Sequence, residues 1–337
     1  MRNGNHPPRR LSRTWILLIS VGILAAVLFS IVPGSLFAWL WERLNLFATV
    51  FLGIFIEAVP YLLLGTLASG LVEMFVNREQ MARLIPRGGL GSALAGAVLG
   101  LAFPVCECGV IPLTRRLFSK GLPLSAGVAF LLAAPVFNPI VIFSTAAAFG
   151  WGRMLFWRLG LTLVFAVVVG FIFSFEKDGG KVLKVAAPVL DLQPKPKVSL
   201  PVAEKMRQAL IIATDEFFEM GRYLIVGAML AAAMQTFVPQ ASLLAIGNGP
   251  LLSVLVMLTL AIVLSICSTV DAFVALGFVG SFSFGSILAF LVFGPMVDIK
   301  SIMMYRQVFK SRVVLYLVLL PFLMSLLSGL IFNYLVP

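Results

Sequence analysis

Long apolar windows without charge recur along this chain, and nothing constrains its fold more. Those within 14–33, 155–175 and 313–335 approach the roughly 20 residues a helix needs to cross a bilayer. Lipid offers no partner to a backbone N–H or C=O, so such windows must close their hydrogen bonds internally, as helices. Of 337 residues, 61% are hydrophobic and 12% charged. A soluble domain carries about 25% charged residues, so the chain reads as an all-α polytopic integral membrane protein. The net charge of +11 is spread over short connecting segments, which argues against nucleic acid as a partner. Its meaning is orientation, because Lys and Arg collect in cytoplasmic loops. Arg9, Arg10 and Arg13 precede a first apolar stretch that lacks a small-residue cleavage site, so it reads as a helix and not a cleavable signal. The expected setting is the bacterial cytoplasmic (inner) membrane, with the N-terminus cytoplasmic.

Basic segments divide the chain. A cytoplasmic basic tail (1–13) and a first transmembrane helix (14–33) precede a first membrane repeat (45–175). A cytoplasmic basic linker (176–207) leads to a second repeat (208–337). With residues 89 and 176 both inside, the apolar segments 90–113, 121–151 and 155–175 must make an even number of crossings. Arg115, Arg116 and Lys120 place 114–120 inside as well. Segment 90–113 then enters and leaves by one face, a re-entrant hairpin with its tip at 104–109. Ser92, Gly96 and Gly100, four residues apart, give its first limb a small-residue face on which another helix can pack closely. In the second half, 209–238 runs outward to an uncharged loop, 239–250. The stretch 251–299 holds a second hairpin, turning near 267–271, and one span. Lys300, Arg306, Lys310 and Arg312 mark 300–312 as inside, while Arg153 and Arg158 are expected outside. The count is about seven spanning helices plus two re-entrant hairpins, or eight to nine spans.

The halves match each other. Tyr61-Leu-Leu-Leu-Gly65 falls against Tyr223-Leu-Ile-Val-Gly227, and at the same offset Glu57 falls against Glu219. After one single-residue gap Cys106 meets Cys267, and after a second Asn138 meets Asp298. Three crossings per half would invert the two repeats relative to each other, as in many secondary transporters.

Polar side chains at membrane depth are costly and mark function. Cys106-Glu107-Cys108-Gly109 is the sharpest such group: two thiols and a carboxylate at a Pro/Gly turn. Free cysteines are often only small buried hydrophobes, but thiolates also favour soft ions. A permanent zinc site needs four ligands, and His6, the single histidine, sits in the tail. A transient two- or three-thiol site for a soft solute fits better, with no cofactor. Cys267, Ser268, Thr269 and Asp271 form the counterpart turn, which otherwise reads as ordinary interhelical packing. Asn138 and Asp298 each follow a proline by three residues, as helix caps or as binding groups. Glu57 and Glu219 are candidate proton carriers, Glu219 having Arg222 as a local ion-pair alternative. Asp215 and Glu216 are expected near the interface and solvated.

The run Phe103-Pro-Val-Cys-Glu-Cys-Gly-Val-Ile-Pro112 resembles the signature of the permease family that includes the ArsP arsenical efflux permeases and the YraQ-type permeases. The resemblance continues through Gly121-Leu-Pro-Leu-Ser-Ala-Gly127, Ala133-Ala-Pro-Val-Phe-Asn-Pro139 and Ser268-Thr-Val-Asp-Ala-Phe273, and covers about 45–335. It implies export of trivalent organoarsenicals with Cys106 and Cys108 as the paired thiols. Glu107 stands where the family motif carries a small residue, and an acid there favours a cation over a neutral arsenical. The leading reading is a non-enzymatic, secondary active permease for a thiophilic solute. Alternatives are a permease for a metal cation or sulfur-containing solute, a subunit of a larger transport complex and, ranked lowest, a thiol redox relay. Expected partners are the lipid bilayer, a small soft solute or ion, and a homo-oligomer or small membrane subunit. No Gly-x-x-x-x-Gly-Lys-Ser/Thr loop is present, so ATP coupling would need another chain.

Overall fold

The computed structural model describes residues 34–77, 79, 81, 85–86, 88–103, 105–176, 182–184, 201–237 and 249–335. The expected tail, the helix at 14–33, Pro104, most of the basic linker and the loop to 248 lie outside the described residues. The chain divides into compact units at residue 48. The described part of the first is the opening of helix α1 (Gly34–Phe75), where Arg43 lies 5.6 Å over the Trp39 ring. Residues 49–337 form the second unit.

Among the described residues there are twelve α-helices. After α1 come α2 (Gly89–Leu99), extended by a 3-10 turn (Gly100–Ala102), and α3 (Glu107–Ser119). Then follow α4 (Leu124–Ala133), α5 (Pro139–Phe149) and α6 (Arg153–Phe173). The second half has α7 (Val202–Phe237), α8 (Pro250–Leu264), the short α9 (Asp271–Leu276), α10 (Phe284–Phe293), α11 (Ile299–Val308) and α12 (Ser311–Leu335). Among the described residues, four helices are long and apolar enough to cross a bilayer: Ala38–Phe75, Arg153–Phe173, Val202–Phe237 and Ser311–Leu335. This is an all-α polytopic membrane protein.

The other helices are short because the chain is broken at matching places. The sequence suggests one crossing over 121–151, but it divides at 134–138, where Pro135 and Pro139 withhold backbone donors. Asn138 caps the new start, accepting from the Ile140 N–H at 3.0 Å. The same happens at 294–298, where Asp298 caps α11 in a capping box with Ser301. At the end of α8, Ser265 takes a left-handed conformation (φ 46°) that stops the helix. Its Oγ donates to the Ile262 carbonyl and accepts from the Ile299 N–H, tying that break to the start of α11.

Helices α2, α4 and α6 pack on one another, as do α8, α10 and α12. Close approach is achieved by small residues, as expected where lipid supplies no hydrophobic drive between helices. A Cβ at Gly96 would sit 2.1 Å from the Ala126 carbonyl oxygen, and one at Gly100 2.8 Å from the Ala134 Cα. The predicted small face of α2 is therefore the one that meets α4.

The hairpins open in opposite directions. Lys120, at the end of α3, bonds the Glu73 carbonyl at 2.6 Å, while Gly89, at the start of α2, abuts Ser174 after α6. Both limbs of α2–α3 thus open where α1 and α6 end. At the other end of α6, Arg153 lies 5.5 Å over the Phe284 ring at the start of α10. There Asn333, near the end of α12, bonds the Pro250 carbonyl and Ser286, so α8 and α10 both start at that end. The described residues therefore hold two hairpins (α2–α3 and α8–α9) and six end-to-end units, with α4–α5 and α10–α11 each counting as one broken unit.

Candidate functional site

Both hairpin tips end in helix starts. Cys106 is the N-cap of α3, with Glu107 in its first turn, and its carbonyl accepts from Gly109 and Val110. Pro112 inside α3 lacks the N–H that would close on the Cys108 carbonyl. In the second tip the Cys267 carbonyl accepts from Val270 and Asp271, and Asp271 opens α9. An acid at a helix start is stabilised by the positive end of the helix dipole. The sequence therefore places a thiol and a carboxylate together at each tip.

The tips meet. Cys106, Cys108 and Cys267 are free thiols and all are buried. Sulfur atoms of Cys106 and Cys267 and a Glu107 oxygen lie within 4.8 Å of one another. Cys106 lies close to both Cys108 and Cys267, and the Cys267 sulfur stands 3.9 Å from Glu107 Oε2. These ligand atoms are the ones available to hold a soft ion or soft solute atom, with Cys108 adjoining. Lys300 brings a charge to the same place: its Nζ is 3.5 Å from Glu107 Oε1 and 3.3 Å from Asp298 Oδ2. Lys300 was expected in a cytoplasmic polar segment. Instead it is the second residue of α11 and is 2% exposed, where the carboxylates compensate its charge.

Helices α1 and α7 press against this centre through glycine. A Cβ at Gly65 would fall 2.2 Å from the Gly109 Cα, and one at Gly227 would fall 2.8 Å from the Lys300 Cα. On α1, Tyr61 lies close to Thr269 of the second tip. Glu57, one turn earlier, is half-buried, has an oxygen without a partner, and lies within electrostatic range of Lys300 and Glu107.

A second polar centre lies between α5, α6 and α9. Arg158 is fully buried, pairing with Asp271 Oδ2 at 2.6 Å and donating to Thr145 Oγ1 at 2.8 Å. This corrects the expectation that Arg158 is outside; the Asp271 carboxylate draws it inward. Ser268 Oγ, Asn138 Nδ2, Asp271 Oδ1 and Arg158 Nε are buried without a partner. Asn138 and Asp298 are helix caps, the plainer of their two readings, although Asp298 also touches Lys300.

Glu219 is in neither centre. It pairs with Arg115 at 3.0 Å and accepts from Gln307 at 2.6 Å; Arg222 is not its partner here. Glu216, expected to be solvated, is 2% exposed and paired with Arg116, while Lys120 reaches the Glu73 carboxylate at 3.1 Å. This network ties the far end of α3 to α1, α7 and α11. Sequence reasoning offered Lys300 only as a partner of Asp298 near the cytoplasmic face, a pair that the structure has, and missed Arg158 and Tyr61. The signal for Lys300 was present in Asp298-Ile-Lys300, a cation directly after a capping acid. For Arg158 there was none, since its partner is 113 residues away.

A family model described as "Predicted permease" (ArsP_1) matches residues 43–334. The UPF0718 protein YcgR of Bacillus subtilis (strain 168) is 47% identical over 272 residues, 80% of this chain and 91% of that protein. A putative two-component membrane permease complex subunit of Streptococcus mutans serotype c is 39% identical over 268 residues, 79% of this chain and 88% of that protein. The UPF0718 protein MJ0584 of Methanocaldococcus jannaschii is 24% identical over 218 residues, 64% of this chain and 55% of that protein. No solved structure matches.

Proposed function

The chain belongs to the ArsP_1 family of predicted permeases, and on that premise we propose that this membrane permease is a secondary active exporter of a thiophilic solute. A trivalent organoarsenical or a related soft species binds among Cys106, Cys108 and Cys267. The observation that carries this reading is the convergence of two free thiols, Cys106 and Cys267, from two hairpin tips on one buried carboxylate, with the free thiol of Cys108 two residues from Cys106. Ser268, Thr269 and Asp271 form the polar wall of the second tip, and Asn138 and Asp298 fix the helix starts beside it. The succession of long helix, hairpin, broken helix and long helix occurs in both halves and opens to opposite ends. We read it as two inverted repeats that rock about the thiol centre. Glu57 is the proton carrier, since its unpartnered oxygen lies in electrostatic range of the centre. Glu219, its sequence counterpart, serves the ion-pair network that closes one end. The protein works in the bacterial inner membrane with the basic loops cytoplasmic, beside a small membrane subunit. A relative's description as a complex subunit supports the last point.

The decisive experiment compares a deletion strain with complemented strains on a panel of arsenicals, antimonials and soft metal salts. Wild type should restore growth on at least one soft solute. Cys106→Ser and Cys267→Ser should each lose roughly 10–100-fold of that protection, the range seen when even outer partners of a soft-metal site are removed. Full protection by a Cys106→Ser/Cys108→Ser/Cys267→Ser triple variant would sink the thiol site. A second reading, transport of a soft metal cation, is favoured by the Glu107 oxygen lying within the ligand set. Glu107→Gln separates the two: it impairs protection from a soft cation and spares protection from a neutral arsenical.

A further inference from the structure

A cavity of about 780 Å³ opens between the end of α6 and the start of α12, and none of the thiol-centre residues lines it. Its walls are apolar, formed by Ile172 and Phe173 on one side and Val313, Tyr316 and Leu320 on the other. Its rim is basic, with Lys310 and Arg312 both exposed. Residues 182–184 cross the rim, with the Lys184 N–H bonding the Val308 carbonyl and the Lys310 N–H bonding that of Val182. That crossing brings Lys184 onto the same edge, where its ammonium bonds the Arg306 carbonyl. Among the described residues the opening is lined by two cations, Lys310 and Arg312, with Lys184 on its edge, and by one carboxylate, Glu176; Glu176 and Lys310 each have interactions of their own.

We propose that this cavity binds one anionic phospholipid, its phosphodiester on Arg312 and Lys310 and an acyl chain along Phe173, Tyr316 and Leu320. The charge of the rim selects an anionic headgroup over a zwitterionic one. The walls select a lipid over free phosphate, since the apolar lining continues onto helix faces that are themselves lipid-facing: Leu315 is 60% exposed, Leu319 42% and Ile172 43%. Both helix ends lie where a headgroup layer would be. Arg312 opens a bilayer-length helix, and Glu176 follows the end of another. Because α6 belongs to the first half and α12 to the second, the lipid fills the seam between them.

The test uses the purified full chain in nanodiscs of phosphatidylcholine, with or without phosphatidylglycerol of the same chain length. Thermal unfolding and lipid retained after delipidating washes are the readouts. Wild type should retain phosphatidylglycerol over phosphatidylcholine and gain thermal stability from it. At about a tenfold loss per 1.4 kcal/mol, and about 1 kcal/mol per basic residue, Lys310→Gln/Arg312→Gln should bind it roughly 30-fold more weakly. Arg153→Gln, at the other end of α6, should behave as wild type. Were the double variant unstable, Tyr316→Ala, with the charges intact, should still lose retention. The proposal is overturned by equal retention of the two lipids, or by full retention in the double variant. Equal stabilisation by soluble glycerol phosphate would assign the rim to free phosphate. Displacement of the selectivity by a co-expressed acidic subunit would assign it to protein. Either also overturns the lipid. None of these outcomes touches the thiol site.

Discussion

Arg158 and Asp271 show how single residues hold this protein together. A guanidinium and a carboxylate at no more than 3% exposure have no water to turn to, so each depends on the other. Removing one partner of such a pair costs about 3–5 kcal/mol, because the remaining charge is left uncompensated. Arg158→Gln should therefore lower thermal stability in detergent sharply. Arg158→Gln/Asp271→Asn should recover most of the loss, since no unpaired charge then remains. A double variant no more stable than the single one would show that the pair is not coupled in this way. At this scale the sequence was half legible. Cys106, Glu107, Cys108, Cys267 and Asp271 announce themselves as polar groups inside apolar windows. Lys300 and Arg158 stand at the edges of such windows, where hydropathy reads any cation as loop. Their partners in the other half of the chain, Glu107 and Asp271, reveal them as interior.

Breaks and close approaches set the elements. Helix α2 can lie against α4 only because Gly96 has no side chain. Gly96→Leu would push atoms into the Ala126 backbone, which cannot yield as a side chain can. The cost should meet or exceed the roughly 1–3 kcal/mol typical of core overpacking. Gly53→Leu on α1, where nothing lies within 4 Å, is the matched control. Size-exclusion profiles after heating should separate the two, the first aggregating early and the second unchanged. If Gly96→Leu proved as stable as the control, the α2–α4 contact would be looser than described. The interval of Ser92, Gly96 and Gly100 made this contact readable in advance. The division of 121–151 was harder to foresee: Pro135 and Pro139 were visible, but two prolines in an apolar run also suit a kinked continuous helix.

Across the whole molecule, one end of the α3 limb is bound by ion pairs and the other carries the thiols. Arg115, Arg116 and Lys120 hold Glu219, Glu216 and Glu73, so α3 is fastened to α1 and α7. If the two halves rock as proposed, these bonds must part for the centre to open on that side. Glu216→Gln/Glu219→Gln should accordingly speed modification of the buried cysteines by a small water-soluble thiosulfonate, while leaving the fold intact by circular dichroism. An unchanged labelling rate would mean the network braces the limb without gating it. Hydropathy and basic loops gave the class of the molecule and the same-side ends of the first hairpin. They could not give the pairing of hairpin tips, which depends on contacts between residues such as Glu107 and Lys300.

That last pairing bears on how the chain is made. Glu107 leaves the ribosome long before Lys300 exists, and Asp271 must look back to an Arg158 already in the bilayer. Neither acid has its counter-charge within its own half. A first half inserted alone would present a bare carboxylate to lipid, and so would a second half. Biogenesis must therefore hold the early hairpin in a protected, unfinished form until residue 300 arrives. A prematurely ended chain then carries its own mark for disposal.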